Sequence, residues 1–169
     1  GVTDTQVARV KQVVRDVDYI APGIFYTAGY EYGNQKEFIV TLAYPDENLN
    51  DVMNDLGVDV EEGRKIRPSD SGSIVLGHKI AYDTFDKEIK VGTALEVGDE
   101  KFRVVGISEE QGDLFVDSSI MMNFDDLKDI SGQDDYSVIR IKFQEGADLK
   151  KKKKAIEEKL NPNQDEKDF

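Results

Sequence analysis

The chain has 169 residues, 38% of them hydrophobic and 34% charged, enough apolar material for a packed core and length for one domain or two small lobes. Its net charge of −13 argues against a nucleic-acid partner, which demands clustered cations, and there is no cysteine for a disulfide or thiolate metal site. No apolar run approaches the ~20 residues that span a bilayer.

Thr3-Asp4-Thr5-Gln6 has the form of a capping box, and Val7, Val10, Val14 and Val17 recur at helical spacing after it, predicting an amphipathic helix to about Val17. Pro22-Gly23 reads as a break. The aromatic-rich run Ile24 to Tyr32 and the alternating run Phe38 to Tyr44 flank Gly33-Asn34, the pattern of a β-hairpin. Its alternation builds a sheet core, or else a partner surface. Pro45-Asp46 opens a short helix carrying Leu49, Val52, Met53 and Leu56, stopped at Gly57. Val58 to Arg64 reads as an irregular connector and Pro68 to Gly72 as a loop. Ser73 to Leu76 follows as a buried strand, then His78 to Phe85 as a helix.

Leu95 and Val97 predict a strand that turns at Gly98-Asp99-Glu100 into Phe102 to Ile107. Leu114-Phe115-Val116 and Ile120-Met121-Met122 read as further strands, and Asn123 as the cap of a helix with Phe124, Leu127 and Ile130. Tyr136 to Phe143 is a last strand. Gly146-Ala147-Asp148 opens a final helix through Leu160, ended by Asn161-Pro162, with a polar tail to Phe169. Mixed ordering of this kind gives an α+β fold: a mixed sheet lobe with packed helices plus a β-rich second lobe. The lobes are expected at residues 1–66 with 119–169 and, inserted, 67–118.

Chemistry is sparse in the pattern. His78 is the sole histidine, so no paired-imidazole metal site can form, and its place at the head of a helix suits a surface or capping role. Glu109, Glu110 and Asp113 could converge on a cation or act as an acid/base pair, or be solvated surface. Gly77, between a strand and a helix, only superficially resembles a phosphate loop, and no P-loop is present. Lys150 to Lys154 form the sole basic block, either a solvated helix face or an attraction for lipid headgroups or an acidic partner. No catalytic, cofactor-binding or metal residues are assigned, and no substrate or partner residue can be named.

The stretch from Glu62-Gly63-Arg64 through Ser73-Ile74-Val75-Leu76-Gly77, Ile80-Ala81, Phe85, Val91-Gly92, Leu95 and Val97-Gly98 to Phe102-Arg103-Val104-Val105-Gly106-Ile107 resembles the MacB-like periplasmic core domain of MacB/FtsX-type ABC transporter permeases. Val17 to Pro22 resembles that family's opening element, and Val138 to Lys142 with Gly146 to Asp148 its closing strand and helix. Thr84 departs from the family's leucine and Asn123 from its usual proline. The resemblance implies an extracytoplasmic domain inserted between the first two membrane helices of a permease, with no cofactor. ATP hydrolysis would lie on a separate ABC ATPase subunit or domain, a permease dimer is implied, and an extracytoplasmic adaptor is a candidate partner. It also suggests a hinge at Gly63 to Asp70. Two alternatives from other classes are a free-standing secreted binding or adhesion module and a small hydrolase using clustered carboxylates.

Overall fold

In the computed structural model, which describes residues 1–146 and 148–160, the Thr3 capping box forms as the sequence expects. Thr3 Oγ1 accepts from Gln6 N and Gln6 Oε1 from Thr3 N, satisfying two of the amides left orphaned at a helix start. Helix α1 (Asp4–Val13) ends four residues short of expectation. Val14 is already extended, and Asp16 takes a left-handed φ of 61°, which turns the chain into a strand. Strand β1 (Val17–Tyr32) then runs straight through Pro22-Gly23, where a break was expected. Gly23 is needed there because a Cβ would meet the Tyr44 ring at 2.6 Å.

The remaining elements are β2 (Gln35–Ala43), α2 (Asp46–Asp55), β3 (Val60–Gly63), β4 (Ser73–Leu76), a π-helical turn (Ile80–Thr84), β5 (Ala94–Val97), β6 (Glu100–Ser108), α3 (Leu114–Asp117), β7 (Ser119–Met122), α4 (Phe124–Ser131), β8 (Val138–Phe143) and α5 (Leu149–Leu160). The expected stop at Asn161-Pro162 and the polar tail lie outside the described residues. The chain is α+β, as read from the sequence.

Three local expectations are corrected. The connector before Arg64 contains β3, a four-residue strand paired with β6 in which Val60 alone packs against the core and the rest is exposed, too short to show a strand period. Leu114-Phe115-Val116 is helical, because Asp113 Oδ1 accepts from Phe115 N and Val116 N and starts a turn. The helix expected from His78 to Phe85 forms over residues 78–84 but is π-helical from Ile80 to Thr84, with the Gly77 carbonyl accepting from both Ile80 and Ala81.

Backbone contacts divide the chain into two units, Gly1–Pro22 with Asp134–Phe169, and Gly23–Gln133. In the first, α1 and α5 pack as an antiparallel pair. Gln6 Nε2 donates to Leu160 O at one end, and Lys152 Nζ to Arg15 O at the other. Val10, Val14 and Ile20 form a small core here, closed by Ile139, Ile141, Phe143, Ile156 and Leu160.

In the second unit the strand pairings close on themselves. β1 pairs with β2, β2 with β7, β7 with β4, β4 with β6, β6 with β5, and β5 returns to β1. A closed ring of six strands has no free edge to pair with another chain. Alternate residues along its strands face opposite ways. Ile74, Leu76, Ile120 and Met122 join one apolar cluster with Tyr30, Phe102 and Val104, whereas Val75 and Met121 pack against Leu49 and Met53 of α2. Burying a side chain of this size contributes about 1.5–3 kcal/mol, so the alternation fixes the register firmly.

Candidate functional site

Five places in the second unit and one in the first carry the side chains that the sequence singles out. The first is the segment suggested as a hinge. Gly63 and Gly106 are opposed in the β3–β6 register, and Arg64 N donates to Val105 O. The Arg64 guanidinium then grips Asp70 with both terminal nitrogens, at 2.7 and 3.2 Å. Asp70 also accepts from Arg67 N at 2.8 Å, and Ile66 is buried in the apolar cluster with Leu49, Met53 and Val75. Beside the Arg64 guanidinium, and with the Arg67 amide added, the Asp70 carboxyl is held below its usual range despite partial desolvation. Asp46 accepts from Ser69 N, and Asp126 from Gly72 N. Residues 63–72 are thus a fastened clasp, its carboxylates all spent on loop amides and one guanidinium.

His78 sits at the start of the π-helical turn. Its Nδ1 lies 3.2 Å from Glu61 Oε1 and 3.3 Å from Ser108 O, two acceptors for one N–H, and its ring lies 4.6 Å from that of Tyr82. The Tyr82 hydroxyl donates to Glu61. That bond, with desolvation and the charges of Glu61, Glu62 and Glu88, pushes the phenol up to about 12, so it stays neutral. This cluster ties the turn to β3 and β6.

Gly77 is the inverse of a phosphate cradle. A Cβ there would meet the carbonyl oxygens of Asp117, Ser119 and Val116 at 2.5 to 2.7 Å. Converging carbonyls repel an anion.

Glu109, Glu110 and Asp113 do not converge: both glutamates are exposed, and Asp113 caps α3. Among the described residues no group of three or more His, Asp or Glu is placed to hold a metal ion. The organising carboxylate of this loop is instead Asp117, buried, accepting from Gln111 N at 2.8 Å and Gly112 N at 3.0 Å. It is invisible as a spacing motif, because it binds amides rather than side chains. The loop delivers Leu114 and Phe115 to the surface, 67% and 46% exposed, with the Phe115 ring 5.7 Å from Phe25. Reading this segment as a strand missed that pair; Gly112-Asp113 ahead of it is the capping signal that could have found it.

The aromatic hairpin is mainly core. Ile24, Ala28, Tyr30, Ile39 and Ala43 face inward, and Phe38 stands 71% exposed on the other face. At its tip Tyr32, Gln35, Asp86 and Lys87 line an open cavity of about 580 Å³. In the first unit, Lys150, Lys151, Lys153 and Lys154 are exposed on α5, while Lys152 pairs with Asp16 at 3.3 Å. No described helix is long and apolar enough to cross a membrane.

Residues 1–159 match the MacB-like periplasmic core domain. The chain is 33% identical over 168 residues to the uncharacterized ABC transporter permease MJ1507 of Methanocaldococcus jannaschii. That match covers 99% of this chain but 42% of the relative, so the chain spans about two fifths of the permease's length. The fold is shared with the extracellular domain of the noncanonic ABC-type transporter YknZ from Gram-positive bacteria, with a TM-score of 0.73 at 20% identity, covering 96% of this chain and 84% of that one. It is shared also with the periplasmic region of MacB from Actinobacillus actinomycetemcomitans, with a TM-score of 0.71 at 13% identity, covering 96% and 74%.

Proposed function

The chain belongs to the MacB-like periplasmic core domain family, and from that membership we propose that it is the extracytoplasmic domain of an ABC transporter permease. In this reading a separate ABC ATPase domain or subunit hydrolyses ATP on the cytoplasmic side. Movement then reaches this domain through membrane helices and is passed to a substrate or an adaptor outside.

The antiparallel α1–α5 pair carries the reading. The beginning of α1 and the end of α5 are bonded to each other through Gln6 and Leu160, so force applied at either would enter through one packed helical pair. The ring of six strands in the second unit is suited to moving as a rigid body. Fastened loops such as residues 63–72 give it little internal slack.

The test uses the full-length permease. Thr27 is exposed and this chain has no cysteine, so a Thr27→Cys variant in an otherwise cysteine-free permease reports the domain's side of the membrane. A membrane-impermeant maleimide should label it in intact cells, and the permease should copurify with an ABC ATPase. Labelling only after lysis, or release of the domain into the medium as a free module, overturns the reading.

A further inference from the structure

The tip of the β1–β2 hairpin and the segment after the π-helical turn, both in the second unit, build a cleft with fixed walls. Tyr32 and Gln35 are the last register pair of the hairpin, so their side chains share one face beside the Gly33-Asn34 turn. Gln35 spends its whole amide on holding that tip. Its Oε1 accepts from Asp86 N at 2.8 Å, and its Nε2 donates to Glu37 Oε1 at 2.7 Å and to Thr84 O at 3.3 Å. The facing segment is pinned as well. Phe85 and Ile89 are buried on either side of residues 86–88, and Ile89 N donates to Ala81 O. The Tyr32 ring stands perpendicular to that of Phe85, 6.1 Å away.

The cavity of about 580 Å³ at this tip is of the size of small-molecule sites, roughly 300–1,000 Å³. Because Gln35 already fixes its walls, little entropy is lost when a ligand enters. The π-helical turn, a feature frequent at functional sites, leads directly into it. Asn34, Asp86 and Lys87 line the cavity, and their side chains have no partner among the described residues.

Those unspent groups select a ligand. A carboxylate only accepts and an ammonium only donates, whereas the Asn34 amide and the Tyr32 hydroxyl do both. An anion would face Asp86 and a cation would face Lys87, so neither gains from the pair. An apolar molecule would strip water from both charges. A zwitterion would match the two charges and leave Asn34 and the Tyr32 hydroxyl unused. A neutral molecule rich in hydroxyls serves all four, since each hydroxyl donates and accepts, and its C–H face packs on an aromatic ring.

We propose that this cleft binds a neutral saccharide, held by Asn34, Asp86 and Lys87 with Tyr32 as its apolar contact. The site goes beyond the permease reading and does not rest on it.

Titration of the isotope-labelled chain, followed through its amide resonances, tests the site. The probes are glucose, galactose, mannose, N-acetylglucosamine, maltose, cellobiose, lactose and chitobiose. At least one should saturate with a Kd between about 0.1 and 10 mM, shifting the amides of residues 33–35 and 86–87 most. Raising salt from about 50 mM to about 0.5 M should change that affinity less than about twofold, because the ligand carries no charge. Asp86→Ala and Lys87→Ala should each weaken the best sugar at least about fivefold. Only the Asp86 backbone amide holds the tip, so its variant keeps the fold. Tyr32→Leu, which retains apolar bulk against Phe85, should weaken binding similarly, and Phe38→Ala, at the most exposed aromatic ring, should not.

No saturation by any of these sugars at about 100 mM overturns the proposal. So do shifts centred elsewhere, or tighter binding of glycine betaine or inorganic phosphate to the same amides. A ligand that binds more tightly when Asp86 or Lys87 is removed is an ion, and that too overturns it. None of these results alters the labelling of Thr27→Cys, so the saccharide site and the permease reading can fail separately.

Discussion

Gly63 and Gly106 are register partners across β3 and β6, and neither has room for a side chain. A Cβ on Gly63 would overlap the Val105 carbonyl oxygen, and one on Gly106 the Arg64 carbonyl oxygen. Gly63 also takes a left-handed φ of 74°. Two strands are thereby brought close enough for Arg64 N to bond Val105 O, and the clasp begins there.

Gly106→Ala should therefore destabilise the fold by about 3 kcal/mol, the scale of overpacking in a closed interior. Gly72→Ala is the control. Its Cβ would enter open space, so only its left-handed φ of 69° is strained, at about 1 kcal/mol. Urea midpoints of the two variants compare them directly, and equal losses would refute the close-approach account.

Asp70→Asn should cost about 1–2 kcal/mol at neutral pH, because it removes a charge-assisted, two-point bond from Arg64. The sign with pH follows from the depressed Asp70 pKa. Its stabilisation is fully present above the ordinary value of 3.8 and is lost as pH falls through the lower folded value. Wild-type and variant stabilities should converge as pH falls below 3.8 and through that lower value, which urea titrations at several pH values would show. A constant gap across that range would mean that Asp70 acts through shape alone.

The sequence pattern reveals most where side-chain period and turn chemistry agree. The β1–β2 hairpin is legible because Gly33 supplies a φ of 62° between two alternating runs, and α4 because Asn123 caps it and Gly132 stops it at a φ of 63°. The family resemblance likewise lies in packing positions: Gly63 and Gly106 at a close approach, and Gly77 among three carbonyls. What escaped depends on backbone partners. β3 is too short and exposed to show a period, α3 exists because of one cap, Asp46 and Asp126 bind amides distant in sequence, and Asp117 binds two amides of its own loop. Ring closure escapes too, since the contact of β5 with β1 joins Val97 to Tyr30 across most of the second unit's length.

Asp117→Ala should release the 109–113 loop. A buried carboxylate bonded to two amides would be lost, leaving Gln111 N and Gly112 N without it, a cost of about 2 kcal/mol. Hydrogen exchange localises the effect. The Gln111 and Gly112 amides should lose protection first, while those of β6 keep theirs. Uniform loss of protection would show that Asp117 supports the whole ring rather than the loop.

Tyr30 is fully buried in the ring, its hydroxyl 2.7 Å from Thr41 Oγ1, and Thr41 donates in turn to Ile39 O at 3.3 Å. Tyr30→Phe should cost about 1 kcal/mol, since Thr41 keeps its second partner and no acceptor is stranded. Burial raises the Tyr30 phenol well above its ordinary value of 10.0, outweighing the bond to Thr41. Above pH 10 the unfolded chain releases this proton and the folded chain keeps it, so stability falls as pH rises. Thermal melting should thus move down more steeply with alkalinity in the wild type than in Tyr30→Phe. Equal slopes would place the alkaline loss on other groups, of which Tyr82, pushed up to about 12 by Glu61, is the first to substitute with Phe.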